Sequence, residues 1–481
     1  MELNQPTYSP VRTGYGNALN EEVIEEFQSL FKGSILRRED ADYPEACKIW
    51  NAMIDKKPGM IAYCTGVADV ILAVNFARDN NMLTAIRSGG HNVSGSCMCD
   101  DGIVIDLSRM NAVWVDPKNK VAKVQGGALW ADVDRETQAF GLMTPGGVVS
   151  ETGVAGLTLS GGLSWTRRKY GLTVDNLVGV DLVTASGDHI SASEEENPDL
   201  FWAVKGGGGN FGIVTSFDFQ LHEMGPEVML SATMYPLEEL DKVMDFWLKF
   251  MKDAPEEITI DLGVFSIQEL PAFPPELHNR QVVALFSVYA GSAEEGEKAL
   301  QPIREVTTPV LDLSGRMPYT IAQSAFDFMS PKSAFHHYWK SIYVEEFSED
   351  IKKLILDRAP NRPEGTSLIF IRPFGGAVNK VLPSETAFGK RQNFLISIDT
   401  TWKNAADTDR CVAWTKDFWN QLLPFSDGQT YFGFAGGMDE VDEMVSYSFQ
   451  ENMSRLTKVK TKYDPNNFFR VNQNIKPAAA L

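Results

Sequence analysis

Residues 82–95 read MLTAIRSGGHNVSG, and this stretch decides how the chain is read. Met82, Leu83, Ala85 and Ile86, with the β-branched Thr84, make a short apolar strand that runs straight into a loop of glycines around one histidine, His91. Two more clusters follow: PGGVVSETGVAGLTLSGG over 145–162 and GGGGNFG over 206–212. Glycine lets backbone N–H groups approach a ligand with no β-carbon in the way. Successive N–H groups pointing one way form a nest for a diphosphate. Together the three loops read as the walls of a dinucleotide site. None matches the GxGxxG that opens the helix of a βαβ unit, so a nicotinamide Rossmann site is disfavoured. His91 alone reads either as a structural loop histidine or as a functional one.

Outward from this stretch, helical periods alternate with short strands. EEVIEEFQSLF (21–31), VADVILAVNFARDN (67–80) and ALWADVDRETQAFGL (128–142) read as helices; GMIAYC (59–64), GIVIDLS (102–108) and KVAKVQGGA (120–128) read as strands. From about Glu223 the texture changes to long alternating segments, QVVALFSVYA (281–290) and SLIFIRPFGG (367–376), separated by helices such as LEELDKVMDFWLKFMKD (237–253). The expected class is α+β, with one domain over 1–225, a second built on an antiparallel sheet over 226–440, and a tail over 441–481 returning to the first.

A formal charge of −20 repels nucleic acid and anionic bilayers at long range, which favours a small-molecule partner. The N-terminal residues show no basic start followed by an apolar run, and no stretch approaches the ~20 apolar residues of a membrane span, so a soluble cytoplasmic protein is expected. Five cysteines (47, 64, 97, 99 and 411) lack paired CxxC spacing, so ordinary reduced thiols are favoured over a metal site.

The ordered segments IRSGGHNVSG, PGGVVSETGVAGLTLSGG, RKYGLTVDNLVGVDLVTASG, NPDLFWAVKGGGGNFGIVTSFDFQLH and YDPNNFFRVNQNI resemble the berberine-bridge-enzyme-like flavoproteins of the vanillyl-alcohol-oxidase fold over nearly the whole chain. The resemblance implies a PCMH-type two-part FAD-binding domain beside a substrate domain whose antiparallel sheet is covered by helices. It implies FAD joined covalently to His91. It places Arg87, Ser88, Gly89, Gly90, Asn92 and Gly95 at the diphosphate, and Thr152, Gly153, Gly156, Gly161 and Gly162 along the flavin. Gly209, Asn210, Gly212, Ile213 and Val214 match the adenosine side, with Asn472 and Gln473 on the returning tail. Val148, Val149, Thr152 and Leu157 match the edge that dioxygen reaches. Val149 stands where many relatives have a second flavin-linking cysteine, which implies a single link.

The same resemblance implies a hydride-abstracting oxidase for a small alcohol, sugar, amine or activated C–H substrate, with dioxygen as electron acceptor. A dehydrogenase with another acceptor is the alternative. Tyr431 is implied as the base through a lowered phenol pKa, beside the reading of a half-buried strand tyrosine. Lys340 is a candidate for holding a substrate oxygen and Arg372 for binding an acid group, each weighed against an ordinary strand position. His336 and His337 are adjacent, so on a strand they face opposite ways and cannot share one ion. Trp165 and Trp339 read as core or cleft-wall aromatics.

Overall fold

The computed structural model describes residues 10–479, apart from 272, 330, 364–366 and 438–440. Val70, Ala73, Val74 and Ala77 recur at helical spacing along Val67–Asp79, and that stripe is buried against a four-stranded sheet. The sheet runs in the order Ser34–Arg37, Met60–Tyr63, Ile103–Asp106, Thr84–Arg87. The last three strands are mutually parallel, so the loop that begins at Ser88 leaves their carboxyl end, where open sheets with parallel strands commonly hold ligands. A second, antiparallel sheet orders Val113–Asp116, Val121–Gln125, Ile213–Gln220, Leu177–Val183 and His189–Ala192.

The third sheet is eight-stranded and antiparallel, drawn from residues between Glu227 and Trp402. Its period-two pattern separates two faces. Val283 and Leu285, Ile369 and Ile371, Ile396 and Ile398, and Ile342 and Val344 pack beneath the helices Leu240–Asp253, Glu349–Arg358 and Thr408–Leu422. The intervening Phe286, Phe370, Arg372, Asp399 and Trp339 turn to the opposite face, towards the glycine loops. The architecture is therefore the α+β arrangement anticipated above, with one sheet face left to build a site. Among the described residues no helix is long and apolar enough to cross a membrane.

The tail folds back after the helix Met453–Tyr463. Asn472 Nδ2 donates to the Gly209 carbonyl at 3.0 Å, Asn210 Nδ2 donates to the Gln473 carbonyl at 3.0 Å, and Ile475 N donates to Asn210 Oδ1 at 2.9 Å. Lys460, fully buried, ties the same turn together by donating to Asp464 and to the Asn210 and Phe469 carbonyls.

Candidate active site

The three glycine loops and the free sheet face enclose one continuous cavity with about 350 Å³ of water-accessible space. Ser88, Gly89, Gly90, His91 and Asn92 line it from the first loop. Val148, Val149, Thr152, Gly153, Gly156 and Leu157 line it from the second, and Gly209, Gly212, Ile213 and Val214 from the third. Asn472 and Gln473 close it from the tail. Other residues implied by the resemblance lie behind this wall. Arg87 is ion-paired with Asp106 in the parallel sheet, and Asn210 holds the tail. A side chain at Gly95 would strike Ile54 and one at Gly161 would strike Phe388. Gly162 donates its N–H to the Tyr431 hydroxyl at 3.2 Å.

Two backbones meet where the first and second loops cross. A Cβ at Gly153 would lie 2.5 Å from Gly89 N, and one at Gly89 would lie 2.6 Å from Gly153 N. Main chain cannot move aside as a side chain does, so Gly153→Ala should cost about 1–3 kcal/mol in denaturant unfolding. A midpoint equal to wild type would show that the loops part freely.

His91 enters the cavity on a rigid support. Its ring stacks on Trp50 at 4.4 Å between centroids, and Trp50 in turn stacks on His337 at 3.8 Å. Trp50 N donates to the Gly90 carbonyl at 3.0 Å, while Asn51 Nδ2 bridges the Val93 and His337 carbonyls at 2.7 and 2.9 Å. The segment Ile49–Asn51 thus clamps the histidine loop to the large sheet, and nothing in the pattern of KIWNA signalled this. Burial lowers the His91 pKa to about 4, so its imidazole is neutral at physiological pH. Its Nε2 is buried with no hydrogen-bond partner among the described residues.

On the sheet side, Arg372 reaches the cavity, donating to Ser397 Oγ at 2.6 Å and lying 3.7 Å from Asp261 and 4.0 Å from Asp399. Asp261 is itself ion-paired with the fully buried Arg167. Asp399, 3 % exposed, also lines the cavity; Ser397 Oγ donates to its Oδ2 at 3.1 Å and its Oδ1 has no partner among the described residues. Burial lifts its pKa to about 6 against the opposing pull of Arg372. FLISIDTTW reads as an apolar strand, so this carboxylate escaped the sequence reading.

Two expectations are corrected. Lys340 pairs in register with Ile398 and shares the helix-covered face, where its ammonium lies 4.1 Å from the Trp419 ring, so it is not on the cavity side. Tyr431 lines the cavity but sits before the 3-10 turn Phe432–Phe434 rather than on a strand. Burial pushes its phenol upwards, not downwards, which disfavours phenolate at neutral pH. None of the five cysteines is in a disulfide, and among the described residues no cluster of His, Cys, Asp and Glu could hold a metal.

A family model described as an FAD binding domain matches residues 58–193, and one described as berberine and berberine-like matches residues 438–476. The chain therefore carries an FAD-binding domain and a berberine-like segment, and it is similar to the berberine-bridge-enzyme-like FAD-linked oxidoreductases. This flavoprotein is 29 % identical to an FAD-linked oxidoreductase of Dictyostelium discoideum over 95 % of its length and 97 % of the relative's. It is also 29 % identical to (R)-6-hydroxynicotine oxidase of Paenarthrobacter nicotinovorans, over 93 % and 97 %. The solved 6-hydroxy-D-nicotine oxidase of Arthrobacter nicotinovorans superposes with a TM-score of 0.81 at 27 % identity, covering 93 % of this chain and 98 % of that one.

The residues fit a flavin dinucleotide. A Cβ on Gly156 or Gly209 would enter open cavity space, so both backbones are bare to a ligand, as a nest for phosphate or ribose requires. The buried Asn472 Oδ1 lacks a partner among the described residues and could accept from a nucleotide hydroxyl at that end.

Proposed function

We propose that this oxidoreductase is an FAD oxidase that carries its flavin on His91 through a single covalent link and oxidises a small organic substrate. Residues 1–225 and 441–481 hold the cofactor, and 226–440 present most of the substrate wall, with Trp165 added from the first part. The observation that carries the reading is the His91 ring: half-buried, neutral, braced by Trp50, on the cavity wall and with its Nε2 unmatched among the described residues. When bound, FAD supplies a hydride acceptor that dioxygen reoxidises, with hydrogen peroxide as the product. Val149 offers no nucleophile, so digestion and mass spectrometry should find flavin on the His91 peptide alone.

The protein's own part is to position the donor carbon and remove a proton. Asp399 is the proton acceptor in this reading, because its carboxylate faces the cavity with a free oxygen and a pKa near neutrality. Arg372 keeps that carboxylate charged enough to serve above pH 6. Tyr431 holds the Gly162 amide and shapes the pocket. Tyr431→Phe should therefore slow turnover by no more than about tenfold, whereas a loss approaching ~10³-fold would return the proton to the phenol.

Hydrogen peroxide formed in step with substrate consumption tests the oxidase reading. Turnover only with an added dye, without peroxide, would support the dehydrogenase. Val148, Val149 and Thr152 are stiff β-branched residues on the cavity wall, and in this reading the space beside them is the gap through which small apolar dioxygen approaches. Thr152→Ile should lower peroxide formation in air about tenfold or more by filling that gap, with dye-linked turnover unchanged. Equal loss with both acceptors would remove Thr152 from the oxygen path.

A further inference from the structure

Beyond the glycine loops the cavity is walled by Phe286, Phe326, Phe370, Met329 and Trp165. Phe286 meets Phe326 edge-on at 4.8 Å and Phe370 at 6.2 Å, and Trp165 packs against Phe326 at 5.5 Å. Such a box offers ring faces and edges that favour another aromatic group. A sugar hydroxyl placed against it would be desolvated with no partner.

Asp399 Oδ1 is an unmatched acceptor, and the Trp165 indole N–H is an unmatched donor, both buried and without partners among the described residues. Arg372, Asp261, Thr401 and Tyr431 also bring polar groups to the cavity, and the Trp339 indole N–H is a further buried donor on its lining without a partner among the described residues. Charge is balanced here, with Arg167 and Arg372 set against Asp261 and Asp399. Arg372, Asp261 and Asp399 line the cavity with Arg167 behind them, so a ligand of either charge would compete with ion pairs already formed. The matching ligand is uncharged.

We infer that the substrate is a neutral, oxygenated aromatic alcohol, whose ring packs on Phe286, Phe326 and Phe370, whose hydroxyl donates to Asp399, and whose carbonyl or ether oxygen accepts from Trp165. The inference rests on the oxidoreductase site described above and gives it a substrate class. Phe370 adds a further constraint, since its other neighbour is the Arg372 guanidinium at 4.6 Å, which holds the ring in place.

Calorimetric titration of the flavin-loaded protein tests this with four probes: methyl 6-(hydroxymethyl)-2-naphthoate, 2-naphthalenemethanol, 2-naphthylmethylamine and cellobiose. The ester should bind about tenfold tighter than the amine and about a hundredfold tighter than cellobiose. Trp165→Phe keeps a ring but deletes the N–H, so it should weaken the ester about tenfold and leave 2-naphthalenemethanol within about twofold. Phe326→Ala should weaken both naphthalenes and leave cellobiose unchanged. Cellobiose or the amine binding as tightly as the ester overturns the substrate class. Equal losses for ester and alcohol in Trp165→Phe overturn the role of the indole. None of these titrations depends on the His91 link, so flavin lost on acid treatment beside selective naphthalene binding would break the covalent reading alone.

Discussion

Asp399→Asn should lower the rate of substrate oxidation by about 10² to 10⁴-fold while leaving FAD bound, the range expected for loss of a general base. The exchange preserves shape and removes the group able to accept a proton. Arg372 still has Asp261 at 3.7 Å, so the variant does not strand a lone buried cation. The pH profile gives a second, sharper readout. The carboxylate is the working form and burial raises its pKa to about 6, so kcat/KM should hold above that pH and fall about tenfold per unit below it. In Asp399→Asn this acid limb should vanish. A rate within about threefold of wild type, or a limb that persists in the variant, would assign proton transfer to another residue.

The glycine-loop half of the cavity was largely legible in the sequence because it is built from local, ordered signals. A strand that stops at Arg87, a loop opened by Ser88, and glycines at 153, 156, 209 and 212 are recognisable without knowing what lies across from them. The substrate wall is different. Whether Arg372, Lys340 or Asp399 faces the cavity depends on the register of strands joined by distant segments, and one step of register reverses every side chain. Arg372 and Asp399 fall on the cavity face and Lys340 on the other, although all three read as single charges in apolar strands. The lowered phenol pKa expected for Tyr431 was implied by the resemblance alone, and the burial that acts the other way is set in part by its contact with Gly162, 269 residues away, which no local pattern carries. Trp50 shows the same limit, since its stacking partners lie 41 and 287 residues away in number, at His91 and at His337.

The largest all-or-none effect is expected at His91. A neutral imidazole with an unmatched Nε2, held against Trp50, keeps its lone pair available for bonding, whereas a protonated ring would not. His91→Ala leaves the glycine loops and the Asn472 tail intact, so the variant should still fold and bind FAD by contact alone. The deciding measurement is acid precipitation of the purified protein in both forms. Wild-type pellets should be yellow and release no flavin, and His91→Ala pellets should be white with the flavin in the supernatant. A white wild-type pellet, or a yellow one from His91→Ala, would contradict attachment at His91.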